Sequence, residues 1–195
     1  MRASLISICI FSALIVTGLS LNCHKCLNIT GVECSPISET CNEGEMCMTR
    51  LENNTVGNDV RMSIKKGCKK YDPFLCTTPI CFNGGNFSYD EFTLCCDEDN
   101  CNSGPVTMPE RNTTLNGLQC PSCYVEGSSK CTKEETIKCT GNQGQCNEFK
   151  ANIRRPDQPF KNVAWKGCVT TGACERNTNL TVATTSLTDV QSTCK

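Results

Sequence analysis

Histidine and tryptophan are nearly absent from this chain: its 195 residues hold one of each, and aromatic residues make up only 6%. An enzyme needs a nucleophile with a base, or a metal, in a shaped pocket. The lone His24 stands between Cys23 and Cys26, so no Cys/His dyad or Ser/His/Asp triad is available and no catalytic residues are expected. Net charge is lacking too, at -1 from 19 Lys and Arg against 20 Asp and Glu. Nucleic-acid recognition rests on clustered Lys and Arg, which this balance argues against. The most basic stretch, Lys65-Lys66-Gly67-Cys68-Lys69-Lys70, reads as a solvated turn. No stretch sustains a helical period. Beyond the N-terminus no run is long and apolar enough to span a bilayer, and Lys195 is not preceded by the hydrophobic tail of a lipid-anchor signal.

What is present begins with a secretory signature. Met1-Arg2 supplies a positive start, Leu5 to Val16 an apolar run too short to cross a membrane, and Gly18-Leu19-Ser20 small residues for cleavage. Residues 1–20 are expected to be a signal peptide removed after Ser20, taking Cys9 with it. The mature protein is then expected to be secreted, extracellular and without a membrane anchor.

Cysteine is abundant, with 20 residues, and above roughly a tenth of a short secreted chain it marks a disulfide scaffold. The first set is Cys23, Cys26, Cys34, Cys41, Cys47, Cys68, Cys76, Cys81, Cys95, Cys96 and Cys101. After Asn102, Ser103 to Gly117 is free of cysteine and rich in turn formers, as a linker is. The pattern then restarts with Cys120, Cys123, Cys131, Cys139, Cys146, Cys168, Cys174 and Cys194, each 97 to 100 residues after a counterpart. Lys66-Gly67-Cys68 recurs as Lys166-Gly167-Cys168. The chain is a tandem duplication, with modules at 21–102 and 120–195 and a linker at 103–119. The first module ends in Cys95-Cys96-Asp97-Glu98-Asp99-Asn100-Cys101-Asn102, where one of two adjacent cysteines is close enough to Cys101 to close a tight acidic loop and the other must reach upstream.

Between cysteines the residues read as short strands and turns. Met46–Leu51 and Asp59–Ile64 flank a tip at Glu52–Asn58, and Gln145–Ala151 and Asn162–Trp165 flank one at Asn152–Lys161. Phe87–Leu94 is a further strand with Phe and Tyr on a packed face. The expected fold is all-β and disulfide-rich. Modules this small bury little apolar surface. Disulfides contribute about 2–4 kcal/mol each, largely by restricting the unfolded chain.

The Cys-x-x-Cys opening, the central Lys-Gly-Cys and the closing Cys-Cys-x-x-x-x-Cys-Asn resemble the three-finger module of the urokinase-receptor superfamily, the LU domain. The resemblance spans the mature chain. It implies the pairs Cys23–Cys47, Cys26–Cys34, Cys41–Cys68, Cys76–Cys95 and Cys96–Cys101, then Cys120–Cys146, Cys123–Cys131, Cys139–Cys168 and Cys174–Cys194. It also implies that Asn102 clasps the base of the fingers. Cys81 is the odd cysteine, because the Cys76-to-Cys95 gap matches the Cys174-to-Cys194 gap better. It is either a buried free thiol or a bridge between two chains of a homo-oligomer.

The second module stops at Cys194-Lys195, without the final small loop. In this it resembles the γ-type phospholipase A2 inhibitors, and also the sodefrin-precursor-like factors, secreted two-module pheromones of amphibians. The expected function is therefore that of a secreted, non-enzymatic binding protein acting by surface complementarity on a secreted phospholipase A2. The alternatives are a pheromone-type signal and a soluble modulator of a cell-surface receptor.

Other residues carry weaker signals. The Cys-x-x-Cys pairs have zinc or redox spacing, but the disulfide frame consumes them, so no metal or cofactor is expected. Asp97-Glu98-Asp99 lacks the alternating ligand spacing of a calcium loop and reads as a solvated turn. Trp165 is either a binding hot spot or a half-buried strand residue. Acceptor sequons for N-linked glycans stand at Asn28, Asn53, Asn86, Asn112 and Asn179, with Asn53 expected at the tip of the middle finger.

Overall fold

The computed structural model describes residues 20–174 and 186–195; the expected signal peptide up to Leu19, Cys9 and the Asn179 sequon lie outside the described residues. The fold is all-β. In chain order its elements are β1 (Asn22–Asn28), β2 (Ile37–Thr40), β3 (Glu45–Val56), β4 (Asp59–Lys70), α1 (Pro73–Thr77), β5 (Ile80–Gly84), β6 (Phe87–Cys96), β7 (Leu115–Glu126), β8 (Glu135–Thr140), β9 (Gln145–Arg154), β10 (Lys161–Val169) and β11 (Ser186–Cys194). Strands β7 to β10 repeat the order of β1 to β4, and β11 takes the place beside β9 that β6 takes beside β3. β7 begins inside the stretch expected to be linker.

The middle finger is longer than its sequence suggests. β3 and β4 stay in antiparallel register from Glu45 opposite Lys70 to Val56 opposite Asp59, leaving only Gly57-Asn58 as the turn. Gly57 has φ +58, the conformation that a two-residue hairpin turn asks of its first central residue. The β-formers Thr55 and Val56 can therefore extend the ladder through what reads as a loop. Two expectations change as a result. Asn53 is a strand residue opposite Met62 and Asp90, not a tip residue. The Lys65–Lys70 run lies within β4, not in a turn, and Lys66 points inward and is buried.

Other departures are small. The tip between β9 and β10 spans only Arg155–Phe160. α1 is a single turn, too short for a period to show, and is started by Asp72, whose side chain accepts from Phe74 N and Leu75 N, with Pro at the first position. In β6 the inward face carries Tyr89, Glu91 and Thr93 rather than aromatics alone. The Tyr89 hydroxyl lies 3.0 Å from Glu52 Oε1 and 2.8 Å from Glu91 Oε2, and Arg50 Nε lies 3.1 Å from Glu91 Oε1, so the buried carboxylates have polar partners.

The cores are divided in an unexpected way. Each module's base is filled by cysteine: Cys23, Cys41 and Cys47 in the first, Cys120, Cys139 and Cys168 in the second. The apolar core lies between the modules. Leu75, Ile80, Phe82 and Tyr89 from the first pack against Phe149, Ala151, Val163, Trp165, Val169 and Ala173 from the second. The sheet is continuous across this junction, because β10 pairs with β5 through Cys168 opposite Asn83 and Val169 opposite Phe82.

Candidate interaction surface and the module junction

Where β5 meets β10 the two backbones touch. A Cβ on Gly84 would stand 2.1 Å from the Lys166 carbonyl oxygen, and one on Gly167 would stand 2.1 Å from that of Asn83. Only glycine allows this approach. The second of the paired Lys-Gly-Cys motifs therefore serves contact between modules. Behind it, Trp165 is 2% exposed and sits among the rings of Phe82 (5.1 Å), Phe87 (5.3 Å) and Phe149 (5.6 Å). Phe87 stacks on Tyr124 at 5.6 Å. Trp165 is thus a core anchor rather than a surface residue.

The middle fingers also join at their ends. Arg155 bonds Asp59 Oδ2 at 3.1 Å and the Asn54 side chain, while Arg61 donates to the Pro156 carbonyl at 3.3 Å. These tips are therefore occupied with each other. Beneath them the aromatic cleft keeps about 40 Å3 of free space. That holds a few waters and is far below the several hundred Å3 of a small-molecule site.

Nine disulfides are present among the described residues: Cys23–Cys47, Cys26–Cys34, Cys41–Cys68, Cys76–Cys95, Cys96–Cys101, Cys120–Cys146, Cys123–Cys131, Cys139–Cys168 and Cys174–Cys194. Two groups of sulfurs, Cys23, Cys41 and Cys68 and then Cys120, Cys139 and Cys168, gather closely enough to suggest metal sites, but every member is in a disulfide. Thiolates are what such sites require.

Asn102 stands where the base of the first module closes. Its Nδ2 donates to the carbonyls of His24 (2.8 Å) and Met48 (3.1 Å), and its Oδ1 accepts from His24 N (2.9 Å). The His24 backbone is spent in this clasp. Lys66 Nζ donates to the carbonyls of Asn102 (2.8 Å), Ser103 (3.2 Å) and Gly104 (2.8 Å), and burial lowers its pKa. Its counterpart Lys166 is held differently. It pairs with Glu134 at 2.7 Å and Glu148 at 3.3 Å, and the Glu134 bond raises its pKa. Asp97, Glu98 and Asp99 are exposed, and Asp99 Oδ1 accepts from Asn22 N at 2.7 Å, which ties the loop to the first strand.

Cys81 is the free cysteine among the described residues. Burial, aided by the neighbouring Asp90 carboxylate, pushes its thiol up to about 12. An interchain bridge at this position would have to pass under the connecting segment, where Arg111 binds Asp90 at 2.6 Å.

On the first finger Leu27 (58%), Val32 (40%) and Ile37 (66%) are exposed apolar side chains, and others such as Val60, Leu94 and Leu115 are spread over the rest of the surface. Of the sequons, Asn86 and Asn112 are exposed, whereas Asn28 and Asn53 are half-buried. Exposure on these fingers depends on which strand neighbours cover each face, and alternation along one strand does not report that. Among the described residues no helix is long and apolar enough to cross a membrane.

Comparisons with known proteins agree with this architecture. The sequence profile of the u-PAR/Ly-6 domain matches residues 19–104 and again 116–195. The chain is 27% identical over 182 residues to "Phospholipase A2 inhibitor NAI" of Notechis ater, covering 88% of this chain and 84% of that protein. It is 28% identical over 174 residues to a gamma-type phospholipase A2 inhibitor of Elaphe climacophora, covering 85% of this chain and 82% of that one. Similarity to "Urokinase plasminogen activator surface receptor" of Bos taurus is 33% over 104 residues, 51% of this chain and 29% of the receptor. With both halves matched by the one profile, the chain belongs to the u-PAR/Ly-6 domain family.

Proposed function

We propose that this protein is a secreted, non-catalytic binding protein that inhibits a secreted phospholipase A2 by covering part of its surface. The observation that carries this reading is that relatives named phospholipase A2 inhibitors align with both modules together, over 88% and 85% of the chain. The physical character of the molecule suits such a role. Disulfide-filled bases and a shared apolar core make a stiff body, which limits the entropy lost on binding. The first finger exposes Leu27, Val32 and Ile37 together with the Lys25–Glu39 ion pair, the mix of apolar and charged groups that contact surfaces use.

The test is to titrate the purified, glycosylated protein into a panel of secreted phospholipases A2. Saturable binding with loss of hydrolysis is expected for at least one member, and Ile37→Asp is expected to weaken it. Absence of binding across the panel removes this reading. A soluble modulator of a cell-surface receptor is the second reading, favoured by the similarity to the urokinase receptor. It would show as saturable binding to cells without effect on lipase activity.

A further inference from the structure

The junction encloses a second, larger space beneath the connecting segment. Pro79, Cys81 and Asp90 of the first module and Asn142 of the second line it, and residues 108–112 form its outer wall, around a cavity of about 280 Å3. On that wall Pro109, Glu110 and Asn112 are exposed to solvent. The inner side is held shut. Cys81 N donates to Thr170 Oγ1 at 2.9 Å, Thr170 N donates to Cys81 O at 3.0 Å, and Asn142 Nδ2 donates to Pro79 O at 3.3 Å.

Asn112 heads Asn112-Thr113-Thr114, an acceptor sequence for an N-linked glycan. At the cavity lip its side chain is held by one hydrogen bond and packs over a glycine. Its Cβ lies 3.0 Å from where a Cβ on Gly141 would be, and its Oδ1 accepts from Thr114 N at 2.9 Å. Nδ2, the atom that bears the sugar, has no hydrogen-bond acceptor among the described residues. The other described sequons are placed differently. Asn28 Nδ2 donates to Glu33 O at 2.7 Å, Asn53 is half-buried within β3, and Asn86 lies at the β5–β6 turn, outside the cavity lining.

We propose that Asn112 carries an N-linked glycan whose first sugars roof this cavity and shield the Cys81 thiol from exchange with the disulfides of other secreted proteins. An unpaired thiol is a liability where disulfides form readily. The thiolate is a minor form here, because burial pushes the thiol up to about 12, but over the long life of a secreted protein it would attack a sulfur of a foreign disulfide, forming a mixed disulfide and releasing the other sulfur as a thiolate. At about 280 Å3 the cavity admits a small disulfide compound through its lip, since a single water needs only about 10–15 Å3 of such space. A sugar anchored at Asn112 closes that route. The inference rests on the extracellular reading, and is independent of which partner the protein binds.

The experiment uses the full chain secreted from glycosylating cells. Peptide mass spectrometry is expected to find Asn112 occupied. Native-state alkylation of Cys81 by a maleimide at mildly alkaline pH is then compared between this protein and Thr114→Ala, which removes the acceptor but keeps the Thr114 N contact to Asn112. Alkylation several-fold faster in the variant, with mixed disulfides on non-reducing gels, is the expected result. Enzymatic deglycosylation of the folded wild-type protein gives the same comparison if the variant is poorly secreted. An unoccupied Asn112, or equal alkylation with and without the glycan, overturns the proposal. Lipase inhibition is scored separately, so failure here is distinguishable from failure of the binding reading.

Discussion

A Cβ on Gly167 would stand 2.6 Å from the α-carbon of Gly84, and one on Gly84 would stand 3.0 Å from that of Gly167, so neither residue has room for a methyl group. Gly167→Ala is expected to destabilise the protein by about 1–3 kcal/mol, the range for overpacking, because the neighbouring atoms are backbone and cannot rotate away. Chemical denaturation of the variant checks this; an unchanged midpoint would mean that the modules are not pressed together as described. Lys66 and Lys166 make a related point. The same motif residue caps three carbonyls in one module and pairs with two carboxylates in the other. Each answers the chain that happens to lie above it.

Among the elements, the strands carry the exposed ion pairs. Glu39 on β2 is held below its ordinary value of 4.5 by Lys25, Glu126 on β7 by Lys161, and Glu148 on β9 by Lys150. For each, the folded protein binds the proton less tightly than the unfolded chain does. Their stabilising contribution is therefore complete above 4.5 and is lost as pH falls through the lower folded values. The thermal midpoint is expected to fall progressively on acidification below that point, more steeply at low salt, since these pairs are solvent-exposed and screened. A midpoint independent of pH across this range would count against the pairs. Lys166 has the opposite sign: its contribution holds below its ordinary value of 10.5 and is lost as pH rises through the raised folded one.

As a whole molecule, the described residues form one continuous sheet built from two repeats. The first module carries seven Lys and Arg against twelve Asp and Glu, the second ten against seven, so the halves have opposite net charge. More consequential is that Phe82 and Tyr89 of the first and Phe149, Val163 and Trp165 of the second share one buried core. A single calorimetric transition is expected for the full chain. The first module expressed alone, residues 21–104, is expected to bind a hydrophobic dye and melt at lower temperature or broadly. Two separate transitions in the full chain would show independent modules.

Cysteine spacing and turn residues act over short stretches and leave a direct mark there, so the repeat, the all-β class and the disulfide character are legible in the amino-acid order. What lies between the modules is not, because it depends on contacts between distant parts of the chain. Alternation along β10 says that Val163, Trp165 and Gly167 share a face, but not that the other module covers it, since the covering residues stand about eighty positions away. Hairpin length likewise escaped, because Asn53 to Val56 reads as loop until the ladder with β6 and β4 is formed. The basic run hid an inward-pointing Lys66, which becomes tolerable only when the carbonyls of Asn102, Ser103 and Gly104 fold over it to replace water.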